Sequence, residues 1–216
     1  MSADQRRIVR RLVDAHGQTY AEEAGIRLKD TPQPLYRLLV LAHLLSARIS
    51  ASIAVATARA LGEAGLRDPR RMADADWQER VDALGRGGYR RYDERTATQL
   101  GDAAELLTER WGGDLRRLRD EADGDVAEVR RLLQEFPGVG PTGADIFLRE
   151  AQQVWSEASP FLDRKALQGA ERLGLPPDPD RLLALAGNTD TAVLAAALVR
   201  AAVDKSVADG ILDDAA

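Results

Sequence analysis

The chain has 216 residues, 44% of them apolar and 30% charged, with a net charge of −5. That length fits one compact domain or two small lobes with a real core, and the charge favours solubility. There is no cysteine, which excludes disulfides, thiolate metal sites and a cysteine nucleophile.

Residues 4–24 pattern as an amphipathic helix, with Ile8, Leu12, Val13 and Tyr20 on one side and arginines on the other. Gly25 to Pro34 is a connector, because Asp30-Thr31-Pro32-Gln33-Pro34 cannot continue a helix. Leu35 to Ala47 is apolar nearly all round, the mark of a helix central to a bundle. Ser50 or Ser52 can cap the next helix, Ile53 to Gly62. Gly65 to Pro69 turns the chain, and Met72 to Leu84 holds Asp74-Ala75-Asp76-Trp77, where an Asp can cap and Trp77 can anchor. Gly85-Arg86-Gly87-Gly88 is a flexible turn. Tyr92 to Trp111 is a long helix ended by Gly112-Gly113, and Val126 to Phe136 is another.

The next stretch organises the chain. Leu132, Leu133 and Phe136 close an apolar helix, and Pro137 discourages its predecessor from staying helical. Gly138-Val139-Gly140 then allows a tight reversal that a Cβ would obstruct, with Val139 free to point inward. Ala144, Ile146, Phe147 and Leu148 resume helical spacing, and that helix runs to about Val154-Trp155. The amides around Gly140 and Thr142 would face outward at a helix N-terminus, a ready site for a phosphate. This is the physics of a helix-hairpin-helix, which grips a nucleic-acid backbone without reading bases. Beyond it, Ser159-Pro160 opens a loop that presents Asp163. Helices follow over Arg164 to Leu173, Arg181 to Ala186 and Thr189 to Val207, the last capped by Thr189 or Asp190. No period-2 apolar run appears, so the expected fold is all-α.

The run Phe136-Pro137-Gly138-Val139-Gly140, with Ala144, Ile146-Phe147-Leu148 and an Asp at position 163, resembles the helix-hairpin-helix (HhH-GPD) DNA glycosylase superfamily. Within it, the endonuclease III and adenine-mismatch glycosylase group is the most similar. Leu44-Leu45-Ser46-Ala47 matches the family's early Leu-Leu-Ser-Ala helix, and the resemblance covers roughly residues 30–175. It implies a two-lobed helical fold. Residues 33–154 would form a six-helix bundle carrying the hairpin, and residues 1–32 with 155–216 would form the second lobe. It also implies base-excision repair of duplex DNA carrying a damaged or mispaired base. Many endonuclease III relatives hold a four-cysteine iron–sulfur cluster, and this chain cannot. No cofactor is therefore expected, although family hairpin carbonyls often help bind a monovalent cation.

Several residues then become candidates. The resemblance makes Asp163 the catalytic carboxylate, stabilising oxocarbenium charge on the sugar or activating water; an Asp before Arg164-Lys165-Ala166 is equally a good N-cap. Thr142 occupies the position where strand-nicking relatives carry a Schiff-base Lys, and a hydroxyl cannot form that imine. Among the three lysines, Lys29, Lys165 and Lys205, none replaces it convincingly. The reading is therefore a monofunctional glycosylase, without strong lyase activity. Gly138, Val139, Gly140 and Thr142 would hold the DNA backbone, with Arg164 and Lys165 beside the Asp. Arg48 follows the Leu-Leu-Ser-Ala run where relatives place a Gln that fills the gap left by an extruded base; a surface arginine is the plain alternative. Tyr89, Arg90, Arg91 and Tyr92 mix aromatics with cations as a backbone contact does, or form a solvated loop with one tyrosine packed. His43 reads as a packed core histidine, and Asp145 as electrostatic support at the hairpin helix.

The net charge of −5 argues mildly against nucleic acid as a partner, but its distribution matters more. Basic residues gather at Arg86, Arg90, Arg91 and Arg95, and acidic ones at Asp120 to Asp125 and Asp213-Asp214. The rival readings are a non-catalytic helix-hairpin-helix DNA-binding protein and a helical interaction module whose hairpin is only a turn. No run nears the ~20 apolar residues of a bilayer span, and no signal-type stretch follows Met1. A monomer in the cytoplasm, associated with the nucleoid, is the expectation, with no membrane partner.

Overall fold

The computed structural model describes residues 2–213, and every regular element among them is helical. Asp214 of the acidic tail lies outside the described residues. Helix α1 (Ala3–His16) is closed by a capping box at Ser2, whose hydroxyl accepts from Gln5 N. It stops at Gly17 and does not run on to residue 24: a Cβ there would lie 2.8 Å from Val193 Cγ1, so the chain turns where only glycine fits. The short α2 (Tyr20–Glu23) follows. Helix α3 (Pro32–Ser46) begins at the prolines of the connector, contrary to the expectation that they delay it. A first-turn amide has no intrahelical acceptor, so Pro32 loses nothing there.

Ser50 is the cap of α4 (Ala51–Glu63), accepting from Ile53 N at 3.3 Å. The 72–84 segment is two helices, α5 (Pro69–Asp74) and α6 (Trp77–Arg86), divided where Asp76 forms a capping box with Glu79. Helix α7 (Asp93–Trp111) ends in left-handed Gly112. Helix α8 (Leu115–Glu121), capped by Asp114, was not foreseen: its seven residues are too few to show a helical period. Helices α9 (Val126–Leu133) and α10 (Pro141–Ala151) flank the hairpin. Then come α11 (Arg164–Arg172), α12 (Pro179–Ala186), α13 (Thr191–Val203) and α14 (Lys205–Asp213). Of these α14 was unforeseen, since Asp204 breaks what otherwise reads as one helix. No single helix among the described residues is long and apolar enough to cross a membrane.

The chain divides into two units, at Tyr20/Ala21 and at Glu157/Ala158. The terminal unit joins α1 to the C-terminal helices: α1 packs on α12, α13 and α14, and α11 packs on α13. Its core is largely alanine and leucine, among them Leu12, Ala166, Ala170, Leu194, Ala197 and Leu198, all fully buried. Arg200 ties the end of α1 to α13, donating to Gln18 O at 3.0 Å and lying 4.6 Å over the Tyr20 ring.

The central unit is built on α3, which has buried residues on all sides from Leu35 to Leu44. Helices α4, α8 and α10 pack on it, and α7 packs on α5, α6 and α8. Aromatic pairs fill the spaces: Trp111 with Phe136, and Phe147 edge-on to Trp155. Trp155 also donates to Asp30 Oδ1 at 2.9 Å, while Arg119 lies over its ring and pairs with Asp30 and Glu157. Glu150, 2% exposed, accepts the Ala21 amide at 2.9 Å.

Candidate nucleic-acid interface

The turn between α9 and α10 takes the shape the glycines demand. Val139 N donates to Phe136 O at 3.0 Å, and Phe136 and Val139 are both buried, pinning the bend to the core. Gly138 lies between them at φ +83°, in the left-handed region. Gly140 is the N-cap of α10, and its carbonyl accepts from Ala144 N at 3.0 Å. It has no side chain to cap with, and Pro141 at the first helical position has no N–H. Gly138, Gly140 and Thr142 are exposed. Their amides, with that of Gly143, meet no acceptor among the described residues. A helix N-terminus carries about half a positive charge, so this cluster of donors suits an anion.

The bend is buttressed from behind by residues that its own sequence does not contain. A Cβ on Gly138 would lie 2.4 Å from His43 Cε1 and 2.8 Å from Gln99 Oε1. The turn therefore rests on the imidazole of α3 and the amide of α7, which hydrogen-bond each other. Burial, only partly offset by the Gln99 bond, pushes the His43 pKa down to about 4. The ring is neutral at neutral pH and acts as a shaped support. His43 is thus the packed histidine anticipated, but its packing partner is the hairpin turn. Gln99 was missed. A polar residue on the face of α7 that carries Thr96 and Leu100 inward was the one available hint.

Other contacts fix the two arms. Gly143 is buried against Ser46 and Val139: a Cβ would be 3.5 Å from Ser46 Oγ and 3.1 Å from Val139 Cγ1. Arg130 of α9 grips Asp145 of α10 through two bonds, at 2.5 and 3.1 Å. Asp145 therefore works as an interhelix clamp, beyond the dipole support read for it.

The arginine candidates separate. Arg48 is exposed just past the end of α3 and, among the described residues, has no ion-pair partner. It lies two residues beyond Ser46, on which the hairpin helix packs. Arg95 is exposed one turn before Gln99 on α7, so the same helical face leads from the buttress to a free cation. Arg90 and Arg91 are exposed, and Arg91 lies 5.0 Å over the Tyr92 ring. Tyr89 corrects the expectation of a contact residue. It is 3% exposed, and its hydroxyl accepts from Thr96 Oγ1 at 3.0 Å, because the 87–89 turn folds its ring into the core.

Asp163 belongs to the terminal unit. It is half-buried and caps α11, with Oδ1 accepting Ala166 N at 2.9 Å. Arg164 and Lys165 follow it, both exposed. The capping role is real, and it holds the carboxylate at the start of a helix. Among the described residues no three His, Asp or Glu side chains are placed to share a metal ion.

No family model matches this sequence, and no curated protein matches it. A solved structure does resemble it, described as "Structure of a Trapped Endonuclease III-DNA Covalent Intermediate: Estranged-Adenine Complex". The TM-score is 0.50 at 17% identity, over 93% of this chain and 86% of that one. The likeness shows the fold: this chain has the all-α architecture of endonuclease III.

Proposed function

We propose that this protein is a monofunctional DNA glycosylase. It would hold duplex DNA by the hairpin amides, extrude a damaged or mispaired base, and hydrolyse its N-glycosidic bond. The observation that carries the reading is the set of unpaired amides at Gly138, Gly140, Thr142 and Gly143, held rigid from behind. The structural neighbour, described as an endonuclease III–DNA complex, supports DNA as the partner. In the proposed reaction water adds to C1′ of the deoxyribose as the base departs with the glycosidic electron pair. The Asp163 carboxylate would stabilise the positive sugar or take the proton of that water. Arg48 would enter the gap left by the base. Arg90, Arg91, Arg164 and Lys165 would meet the backbone as phosphate contacts. Carbonyls of the hairpin would be the place for a monovalent cation.

Thr142 supports the monofunctional part, since an exposed hydroxyl at the second position of α10 offers no amine to the sugar. Borohydride reduction of the protein on abasic duplex should therefore trap no covalent adduct; a trapped adduct rejects this part.

Asp163→Asn is the decisive variant. Asn caps helices as well as Asp does, so α11 survives. A panel of lesion-bearing duplexes treated with hot alkali should show base release falling by about 10²–10⁴-fold with duplex affinity kept. Base release at the wild-type rate would remove Asp163 from the chemistry. A second reading, a non-catalytic DNA-binding protein, is favoured by one observation: the carboxylate already serves as a cap. Duplex binding without release of any lesion by the wild type would establish it.

A further inference from the structure

Three arginines of the central unit converge, and among the described residues none of them forms an ion pair. Arg37 of α3, Arg59 of α4 and Arg67, beyond the end of α4, line one concavity of about 390 Å³. Each is held by a backbone carbonyl. Arg37 Nη1 donates to Gly25 O at 3.3 Å, Arg67 Nε to Gly62 O at 2.6 Å, and Arg59 Nη2 to Glu23 O. Two of them meet at a single residue. Gly62 has no side chain, and Arg37 Nη2 lies 3.4 Å from where its Cβ would be, while its carbonyl takes Arg67. None of the three forms an ion pair with a carboxylate among the described residues.

Carbonyl anchoring by itself is an ordinary way to close a helix end. The charge balance shows why it is insufficient here. The end of α4 supplies about half a negative charge. Glu63 on the wall supplies one more, and Glu23 lines the neighbouring concavity, which shares Arg59 and Glu63 and adds the compensating Arg86. Three guanidiniums against these leave an excess of about one to two positive charges. Burial, and then the adjacent Arg67 charge, pull the Arg37 pKa below its ordinary value, as expected for cations crowded without a counterion. A guanidinium carries five N–H donors in a planar fork, so one bond to a carbonyl leaves the rest for an oxyanion.

We propose that this concavity binds a phosphate group through Arg37, Arg59 and Arg67, with Gly62 leaving room for the Arg37 guanidinium. The site stands whether or not the hairpin holds DNA, because its residues are not those of the hairpin or of the Asp163 loop. Phosphate could come from a free inorganic or nucleotide phosphate or from a nucleic-acid backbone, and the two sources differ in the test.

The full chain is titrated calorimetrically with sodium pyrophosphate at ionic strength matched by sodium chloride. Saturable binding to one site is expected, weakened about tenfold or more in Arg37→Gln and Arg67→Gln, since a charge-assisted bond is lost. Arg70→Gln, an exposed residue outside the concavity, should leave it unchanged. Arg59→Gln, whose side chain is exposed, serves should Arg37→Gln fail to fold. In parallel, duplex affinity is followed against salt. A salt slope reduced by about 0.9 in Arg67→Gln identifies a DNA phosphate as the occupant. An unchanged slope with weaker pyrophosphate binding identifies a free phosphate. No saturable pyrophosphate binding, or binding that Arg67→Gln and Arg59→Gln leave intact, overturns the proposal.

Discussion

In the terminal unit α11 crosses α13 so closely that a Cβ on Gly169 would sit 1.8 Å from the carbonyl oxygen of Leu198. In the central unit rings fill spaces between the helices, with Trp111 and Phe136 5.5 Å apart and Phe147 and Trp155 5.4 Å apart, centroid to centroid. The first arrangement depends on atoms that are missing and the second on atoms that are present. Small residues let backbones approach until dispersion between the helices themselves holds them, whereas large rings bury area and hold a wider frame. A wider frame suits a site, since α3, α7, α9 and α10 must all reach the hairpin. The same change of volume should then have opposite consequences in the two units.

Removing a ring should break the central unit most. Phe147→Ala deletes a fully buried side chain that packs on Trp155. It should cost about 3–5 kcal/mol, read as a fall in the denaturation midpoint, together with loss of duplex binding. A cost below about 1 kcal/mol would mean that the rings are not what holds this unit.

Adding a methyl should do the comparable harm in the terminal unit. Gly169→Ala forces α11 and α13 apart and should cost about 1–3 kcal/mol. Duplex affinity should be kept if the hairpin is the grip. A neutral result would show that the two helices can separate freely.

The buttress of the hairpin gives a pH test of intermediate size. His43 titrates near 4 in the fold against 6.5 ordinarily, so the unfolded chain binds the proton first. Stability from the neutral ring is complete above about 6.5 and is lost as pH falls toward 4, by up to about 1.4 kcal/mol per pH unit. His43→Gln should flatten that part of the stability profile relative to the wild type. Parallel profiles for the two proteins would mean that the ring is not buried neutral.

The smallest effect expected is a gain. Gly210 lies inside α14 with nothing within 4 Å of an added Cβ. Gly210→Ala should raise stability by about 0.5–1 kcal/mol through helix propensity alone. Its contrast with Gly169, on α11 of the same unit, separates propensity from packing.

The local signals in the chain were largely legible. The caps Ser50, Asp76, Asp163 and Asp190 act within three residues of themselves, and the structure places each at a helix start. The bend at Gly138-Val139-Gly140 was legible for the same reason. Tyr89 was legible only in part: the run allowed for one packed tyrosine, but only Thr96 and the turn at Gly87 decide that it is Tyr89 and not Tyr92 whose ring goes inside. The prolines of the connector do not show from sequence as a helix start, because the ring that breaks a helix interior is harmless in the first turn. The convergence of Arg37, Arg59 and Arg67 could not be read either, since three arginines in three separate segments share no spacing.

Sequence alone determined most of the helices, several of their caps, the all-α class and the reversal at the hairpin, because each depends on hydrogen bonds and side-chain faces within about one turn. Tertiary structure alone decided what stands behind the reversal. His43 and Gln99 lie 56 residues apart in the chain, and only the packing of α3 beside α7 brings them under Gly138. Contacts of that separation depend on how helices cross, and a linear pattern does not carry that angle.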